Sequence, residues 1–447
     1  MKPRSRPDAH QRDLFQAQFD QILNPDHPLV VLAGQIDWGR FDLALEKCFS
    51  PEVGAPALPT RLMVGLLYLK HAFNESDESL LERWIENPYW QYFCGFSTFQ
   101  HELPLHPTSL VKWRQRMGAE RLAELLQETI ALALREKKVT AHELRQVNVD
   151  TTVQEKNITY PTDSKLFRTA IEKLAGAARQ RGLRLRQTYV RVARRAAIQT
   201  SRYAHAKQFK RMRRELRRLR TWLGRVLRDI RRQQPVGDDH LESLLSLCER
   251  LHRQQPTDSP KLYSLHEPEV VCISKGKAHQ RYEFGQKIAL ATSNRGNWIV
   301  GIQLCTGNPY DGHTLTSTLD SVSRNTGLDV QTAYVDKGYR GHGYQGPAAI
   351  HIAGSSSRGL TRTIQRRRKR RSAIEPKIGH LKSDNRMGRC FLRGLRGDAI
   401  NAVLATAGSN IRKLLRRLFF VHAFWRILID LIHKNQCQPR NPAPVFI

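Results

Sequence analysis

Three acidic residues of this 447-residue chain stand where their carboxylates could do chemistry together. Asp150 and Asp336 each close a segment that alternates apolar and polar residues, as a half-buried β-strand does. The third acid, Glu375, follows six consecutive cations at 366–371. One aspartate at a strand end would be an ordinary turn former. Three acids in this order favour an all-oxygen site, the kind that hard divalent cations bind.

Such a site predicts Mg²⁺ as its cofactor, with two ions as the expected number. Two ions can activate a water or a 3′-hydroxyl and stabilise the leaving oxygen in an in-line phosphoryl displacement. We expect Mn²⁺ to replace Mg²⁺, because carboxylate and water ligands suit both ions. Histidine is not needed for this chemistry, and no histidine is assigned as a ligand.

The charge of the chain indicates a polyanionic partner. It has 73 Lys and Arg against 41 Asp and Glu, a net charge of +32. This excess exceeds what solubility needs, and its self-repulsion destabilises a compact state. Nucleic acid is the commonest partner of such a chain and is the expected ligand.

Much of this charge lies in one segment. Residues 166–235 hold 22 Lys and Arg but 3 Asp and Glu. Between 209 and 230 apolar residues recur at alternating spacings of three and four, and the same spacing returns at 241–251. We interpret residues 160–265 as a basic antiparallel helical hairpin. A solvated helix face would explain most charge runs, but this imbalance favours phosphate contact.

The elements around this segment are of two kinds. Residues 1–140 show the periodicity of short helices, which suits either a helix-turn-helix-like DNA reader or an ordinary helical bundle. Strands are predicted after Leu144 and then at 282–293, 298–304, 330–336 and 348–354, with a helix at 311–324 and a hairpin turn at 294–297. The candidate DNA contacts of the first part are Lys112, Arg114 and Arg116.

The sequence predicts a cytoplasmic protein with no membrane partner. Its seven cysteines are scattered and form no CxxC pair, which fits a reducing compartment. The first residues lack the apolar stretch of a secretory signal. The most apolar tract, 414–432, contains five charged or histidine positions, so we predict an amphipathic helix there and no membrane span.

Five longer segments resemble the bacterial insertion-sequence transposases of the DDE type, in the branch called the IS-five family. The segment LPTRLMVGLLYLKHAFNESDESLLERWIENPYWQYFCG resembles the N-terminal domain of that family. VDTTVQEKNITYPTDSKL resembles its first-aspartate segment, GNPYDGHTL and VDKGYRGHGY its second, and RRSAIEPKIGHLKSDNRMGRCFLRG its glutamate segment. The resemblance covers nearly the whole chain.

The family signature around the glutamate is Tyr-x2-Arg-x3-Glu-x6-Lys, matched here by Arg371, Glu375 and Lys382. On an ideal helix these three fall within roughly 40° of one another, so one face would carry a carboxylate for metal and two cations for DNA phosphate. Arg368 stands at the tyrosine position. Pro376 disfavours a helix interior, so we expect the helix to begin near Ser372, with a capping box to Glu375 and Arg371 just outside.

The resemblance implies an α/β, RNase H-like mixed-sheet catalytic domain, interrupted by the basic helical hairpin and preceded by an all-helical domain. It implies that the partner is double-stranded DNA. Asp150, Asp336 and Glu375 would hold the ions, cleave this DNA at the terminal inverted repeats and join the 3′-OH ends to target DNA, within a dimer or larger synaptic complex. The alternatives are a metal-dependent nuclease without strand transfer and an inactive or domesticated DNA-binding protein. The expected division is 1–140 helical DNA-binding domain, 141–159 with 266–415 catalytic domain, 160–265 insertion, and 416–447 C-terminal helix and tail.

Overall fold

The structure is a computed structural model of the whole chain. It describes residues 17–49, 56–233, 237–274, 281–355 and 359–436, with side chains up to Phe419 except at residue 47. The described elements form a mixed α/β architecture in which a sheet is covered by helices, and a group of basic helices projects between its first two strands.

The N-terminal part of the chain is helical, as its sequence pattern predicts. Its described α-helices are α1 Phe19–Ile22, α2 Pro28–Gln35, α3 Trp38–Leu45, α4 Thr60–Phe73, α5 Asp77–Glu86, α6 Pro88–Phe93, α7 Pro107–Arg135 and α8 Ala141–Leu144. Helix α4 is buried on all sides, which explains its nearly continuous apolar sequence. Gly118 interrupts α7 with a φ of 72°, a conformation that glycine adopts without strain.

A mixed sheet forms the centre of the molecule. Its strands are β1 Gln146–Lys156, β2 Val271–Ser274, β3 Tyr282–Ser293, β4 Ile299–Cys305, β5 Thr332–Val335, β6 Ala349–Ile352 and β7 Arg389–Cys390. The longer strands run in the order β4–β3–β1–β5–β6, in which β3 is antiparallel to both of its neighbours and β5 and β6 are parallel to β1. The short β2 pairs with β3, and β7 pairs with the end of β1.

Strand β1 differs from its prediction, because it does not end at Asp150 but continues to Lys156. Its second half stays paired with β3, and its polar face is buried as well as its apolar face. The Gln154 amide donates to the Asp398 carbonyl at 3.0 Å and accepts from Asn401 at 2.9 Å. These bonds satisfy the buried amide, so the polar alternation carries on inside the protein.

The remaining helices cover the sheet. They are α13 Leu315–Thr326, α14 Arg362–Lys369, α15 Ile374–Asp384 and α16 Gly394–Gln436. Helix α16 begins well before residue 416, where the sequence interpretation placed the C-terminal helix. Its Asn410 bonds both the N–H and the carbonyl of Ile299 in β4, and it also donates to Thr129 in α7 at 3.1 Å. The N-terminal helices, the sheet and α16 therefore share one continuous apolar core.

The inserted segment has a core of its own. Four helices lie between β1 and β2, in place of the two-helix hairpin predicted from sequence: α9 Asp163–Gln180, α10 Val190–His205, α11 Phe209–Gln233 and α12 Asp239–Arg253. Helix α11 packs against the other three. Small side chains, among them Ala170, Ala193 and Ala196, fill the seam of α9 and α10. A search for heptads of large apolar residues misses a helix contact made by alanines, so the sequence did not predict α9 and α10.

Among the described residues, no helix is both long enough and apolar enough to span a membrane.

Candidate active site

The two predicted aspartates lie on neighbouring strands. In the parallel β1–β5 pair, Asn148 is opposite Tyr334, so Asp150 and Asp336, each two positions further on, reach the same level of the sheet. Adjacent strands are about 4.8 Å apart. Asp336 directly follows β5 and caps a 3-10 turn, Lys337–Tyr339, because its Oδ1 accepts the Gly338 N–H at 2.9 Å.

Arg371 joins Asp150 to Glu375. Its guanidinium lies 3.4 Å from Asp150 Oδ2 and 2.8 Å from Glu375 Oε1. The Arg371 side chain is 14% exposed and that of Asp150 is 16% exposed, whereas Glu375 is 59% exposed. One cation thus bridges a carboxylate of the sheet and a carboxylate of α15.

The start of α15 differs from the prediction. A 3-10 turn, Arg370–Ala373, continues directly from α14 and leads into α15 at Ile374. Arg371 lies just outside α15, as predicted, but no capping box forms. The Ser372 hydroxyl donates to the Lys369 carbonyl at 3.3 Å, because the preceding turn offers that acceptor. Pro376 occupies the first turn of α15, where its missing N–H costs no intrahelical hydrogen bond.

Lys382 shares α15 with Glu375. Seven residues separate them, so they lie on one face of the helix about 10 Å apart along its axis. The Lys382 ammonium is 3.8 Å from the carboxylate of Glu283, a residue of β3 that is 2% exposed. Arg368, at the tyrosine position of the signature, turns away towards β6 and donates to the Ser355 carbonyl at 3.0 Å.

The candidate DNA contacts of α7 divide into two groups. Lys112 and Arg116 are exposed. Arg114 is 2% exposed, and its guanidinium donates to both carboxylate oxygens of Asp77 at 2.8 and 2.5 Å. This buried bidentate pair fixes α5 against α7 and keeps Arg114 from the surface. The structure thus corrects the expectation that Arg114 contacts DNA.

A fourth carboxylate, Asp311, borders the same region and is absent from the predicted site. It starts the 3-10 turn Asp311–Thr314 that leads into α13. Its Oδ1 accepts from the Thr151 hydroxyl at 3.0 Å and from the Lys287 ammonium at 2.9 Å. Asp311 lies within GNPYDGHTL, one of the segments that carry the family resemblance, so the sequence did contain a signal for it.

Tyr339 lies beneath these acids and is fully buried. Burial raises the pKa of its phenol well above the ordinary value, and Asp150, Asp311 and Asp336 raise it further. The neighbouring Thr314 hydroxyl donates to the Asp311 carbonyl at 2.7 Å. The Tyr339 hydroxyl interacts with the Thr314 side chain, which partly offsets the raised pKa, but it forms no well-aligned hydrogen bond to any described residue.

The site has the donor chemistry of a divalent-cation site. Within the described ranges, no group of three or more His, Cys, Asp or Glu side chains is arranged closely enough to hold a metal ion. Ionised carboxylates are acceptor-only groups that hard cations prefer. A positive group, the Arg371 guanidinium, already lies between Asp150 and Glu375. The carboxylates fit a divalent metal ion by their chemistry. The ion can bind between Asp150 and Glu375 only when the Arg371 guanidinium moves aside.

Comparisons with known proteins identify the family of the chain. Residues 17–116 match the family described as a transposase domain (DUF772), and residues 266–411 match the family described as the transposase DDE domain. Asp336 and Glu375 lie within the second match, whereas Asp150 lies between the two. The chain belongs to the insertion-sequence DDE transposases.

A relative in Rhizobium meliloti, named uncharacterized protein ORF8 in nfe locus, is 51% identical over 209 residues, which are 47% of this chain and the whole of that protein. No solved structure matches the transposase. DDE transposase domains are RNase H-like, so the mixed sheet around β1 is assigned to that fold class. The family acts in transposition and DNA recombination.

Proposed function

We propose that this transposase binds the terminal inverted repeats of its insertion sequence, cleaves DNA there and joins the freed 3′-OH ends to target DNA. Asp150, Asp336 and Glu375 are the proposed catalytic and metal-binding residues. The observation that carries the proposal is the bridge from Asp150 through Arg371 to Glu375, with Asp336 level with Asp150 on the next strand.

The three carboxylates would hold two Mg²⁺ ions, which Mn²⁺ could replace. Bound divalent ions would supply charge stabilisation to the phosphoryl displacement and lower the pKa of the attacking oxygen. The protein contributes carboxylates fixed on a rigid sheet: the Thr151 N–H donates to Asp150 Oδ1 at 2.8 Å, and the Gly338 N–H donates to Asp336 Oδ1 at 2.9 Å. These backbone bonds orient the two aspartates before any substrate arrives.

Arg371 is the proposed link between DNA binding and the carboxylates. A DNA phosphate offers the guanidinium two oxygens on one group, in place of the single oxygen that each of the two carboxylates gives it now. When Arg371 turns to the phosphate, the space between Asp150 and Glu375 becomes available to a cation. Lys382, on the same face of α15, is proposed to contact a further phosphate.

The insertion at 160–265 is proposed to supply most of the electrostatic affinity for DNA. Exposed arginines of α11, among them Arg213, Arg214 and Arg217, make no ion pair with a described carboxylate. Phosphates release condensed counterions when such cations bind them. Residues 1–140, with exposed Lys112 and Arg116 on α7, are proposed to read the terminal repeats, and 141–159 with 266–415 to form the catalytic domain.

Bringing two element ends together requires at least a dimer in the synaptic complex, which we propose forms on DNA in the bacterial cytoplasm, at the nucleoid. The N-terminal helices share their core with the sheet and α16, so DNA binding has to be measured on the full-length chain. An isolated N-terminal fragment would expose that core.

The proposal is tested by incubating the full-length protein with duplex DNA that carries its element ends and Mg²⁺. We expect nicks that leave a 3′-OH at the element boundary, followed by joined products when target DNA is added. Asp150→Asn, Asp336→Asn and Glu375→Gln should each lose both steps and keep end binding.

The matched control is Asp320→Asn, which changes an exposed aspartate of α13. It should cleave and join as the wild type does. Cleavage without joining would favour a nuclease. Binding without either reaction, by an otherwise folded wild type, would favour an inactive DNA-binding protein.

A further inference from the structure

Asp311 is held in place by groups from two strands of the sheet. Thr151, the residue after the proposed ligand Asp150, donates to Asp311 Oδ1 at 3.0 Å. Lys287, in β3, donates to the same oxygen at 2.9 Å and to the Pro309 carbonyl at 2.6 Å. Both donors approach one oxygen, so the orientation of the carboxylate is fixed and the second oxygen, Oδ2, is left for another partner.

Oδ2 borders the space next to Asp336. A β-carbon built on Gly338 would lie 3.4 Å from Asp311 Oδ2 and 3.1 Å from Asp336 Oδ1. Because residue 338 is a glycine, no side chain separates the two carboxylates there. Like charges placed this close repel one another unless a cation or a proton lies between them.

The turn that carries Asp311 is fastened to the turn that carries Asp336. The Tyr310 hydroxyl donates to the Arg340 carbonyl. A β-carbon on Gly312 would come within 2.9 Å of the His342 Cα, so the two backbones pack directly against each other. The relative position of the two turns is therefore held by direct backbone packing together with the Tyr310 hydrogen bond.

Tyr339 gives independent evidence for a ligand at this position. Its hydroxyl is fully buried, interacts with the Thr314 side chain without forming a well-aligned hydrogen bond to any described residue, and lies in the field of Asp150, Asp311 and Asp336. A buried donor without a partner is costly, and its pairing is completed when an acceptor such as a water or a ligand oxygen is present.

We propose that Asp311 is a positioning residue of the active site, a fourth carboxylate that orients Asp150 through Thr151 and turns Oδ2 towards the ion or ion-bound water at Asp336. This inference rests on the proposed metal-dependent function. Residues that orient metal ligands typically contribute 10–100-fold to metal affinity. The competing explanation is that Asp311 is only the structural counter-ion of Lys287.

The test measures Mn²⁺ binding to the full-length protein by calorimetry, with thermal unfolding in EDTA as a second readout. Asp311→Asn keeps the shape of the side chain but removes its charge. It should weaken Mn²⁺ binding by about ten-fold or more, and its melting temperature in EDTA should equal or exceed that of the wild type, since a repulsion is relieved. Asp320→Asn should match the wild type in both measurements.

Lys287→Met separates the two explanations. It removes the ion pair and a nearby positive charge but leaves the Asp311 carboxylate and its hydrogen bond from Thr151 in the site, so Mn²⁺ affinity should not fall below the wild-type value. Equal losses in Lys287→Met and Asp311→Asn would overturn the inference in favour of a structural ion pair. Wild-type affinity in Asp311→Asn would also overturn it.

Asp336→Asn distinguishes a failure of the inference from a failure of the proposed function. If Asp336→Asn loses Mn²⁺ binding while Asp311→Asn binds as the wild type does, only the role of Asp311 is wrong. If Asp336→Asn also binds Mn²⁺ normally, the metal site is not at these carboxylates and the proposed function fails with it.

Discussion

In the sheet region, cations lie in short contacts with buried or half-buried carboxylates, whereas the inserted helices present many arginines to solvent. Lys156, at the end of β1, lies 3.1 Å from Glu267 and 3.0 Å from Asp398, and all three side chains are at most 5% exposed. Arg213 and Arg214 of α11 are exposed and make no ion pair with a described carboxylate. Ion pairs in the sheet region hold individual side chains in one geometry, whereas the exposed arginines of the insertion create a broad positive surface.

This difference has a physical basis. A buried charge must be paired, because its desolvation costs several kcal/mol, and the pairing fixes its geometry. An exposed charge is screened and contributes little to stability, but many of them together attract a polyanion. The sheet suits the placing of reacting groups, and the insertion suits the holding of DNA.

The largest expected effect tests the sheet side of this comparison. Lys156→Met leaves Glu267 and Asp398 buried without their cation and should lower the free energy of unfolding by about 3–5 kcal/mol. The matched change in the insertion is Arg231→Met, whose partners Glu242 and Glu249 are on the surface. It should cost at most about 1 kcal/mol. Chemical denaturation of both variants measures the difference, and equal losses would break the comparison.

The second prediction tests the insertion side. Replacing Arg213, Arg214 and Arg217 with glutamine should leave stability unchanged and flatten the dependence of log affinity for DNA on log salt concentration. Each lost phosphate contact removes about 0.9 from that slope, so three contacts remove about 2.7. Binding titrations at several salt concentrations measure it. An unchanged slope would make the insertion a scaffold or an assembly arm.

The third prediction concerns Arg371, where the two kinds of charge meet. Arg371→Gln removes the cation between Asp150 and Glu375, so in the absence of DNA we expect Mn²⁺ to bind about ten-fold more tightly, a gain of about 1.4 kcal/mol. Cleavage of DNA should fall. Arg370→Gln is the control, because Arg370 donates to the backbone carbonyl of Asn294 at 3.0 Å and not to a carboxylate. Weaker Mn²⁺ binding by Arg371→Gln would show that the guanidinium does not compete with the ion.

The smallest expected effect concerns a lysine with few acidic neighbours. Burial, then Lys377 and Arg417, lower the pKa of Lys413 to about 7. The unfolded chain therefore binds the proton more tightly between pH 7 and 10, so stability rises with pH across this range and is lost as pH falls towards 7.

Lys413→Met removes this dependence. Between pH 7 and 9 its free energy of unfolding should vary by about 1 kcal/mol less than that of the wild type, after allowance for partial exposure. Denaturation at the two pH values measures the difference. Parallel pH profiles would show that Lys413 is not destabilised by its neighbours.

The sequence predicted the strands of the sheet well and its packing poorly. Strand β3 lies at the predicted residues 282–293, because one alternating segment is bounded by turn residues on each side. The two-residue β7 is too short to leave a periodic signal. For the four-helix insertion the sequence predicted only a two-helix hairpin, because α9 and α10 pack through alanines rather than large apolar residues.

The site was also predictable only in part, because local sequence patterns reveal some of its residues and not their tertiary contacts. Asp150, Asp336 and Glu375 stand out by their place beside strands and motifs. Whether a given cation is exposed depends on a partner elsewhere in the chain, and spacing does not reveal it. Arg114 was predicted to contact DNA, yet Asp77 of another helix buries it.

The central claim is that Asp150, Asp336 and Glu375 hold the ions on which DNA cleavage depends, and a change of ligand atom tests it most directly. Asp336→Cys replaces a hard oxygen with a soft sulfur, which prefers softer ions than Mg²⁺. With element-end DNA, this variant should be inactive in Mg²⁺ and regain part of its cleavage in Mn²⁺, while Asp320→Cys behaves as the wild type in both. Wild-type cleavage by Asp336→Cys in Mg²⁺ would contradict the account.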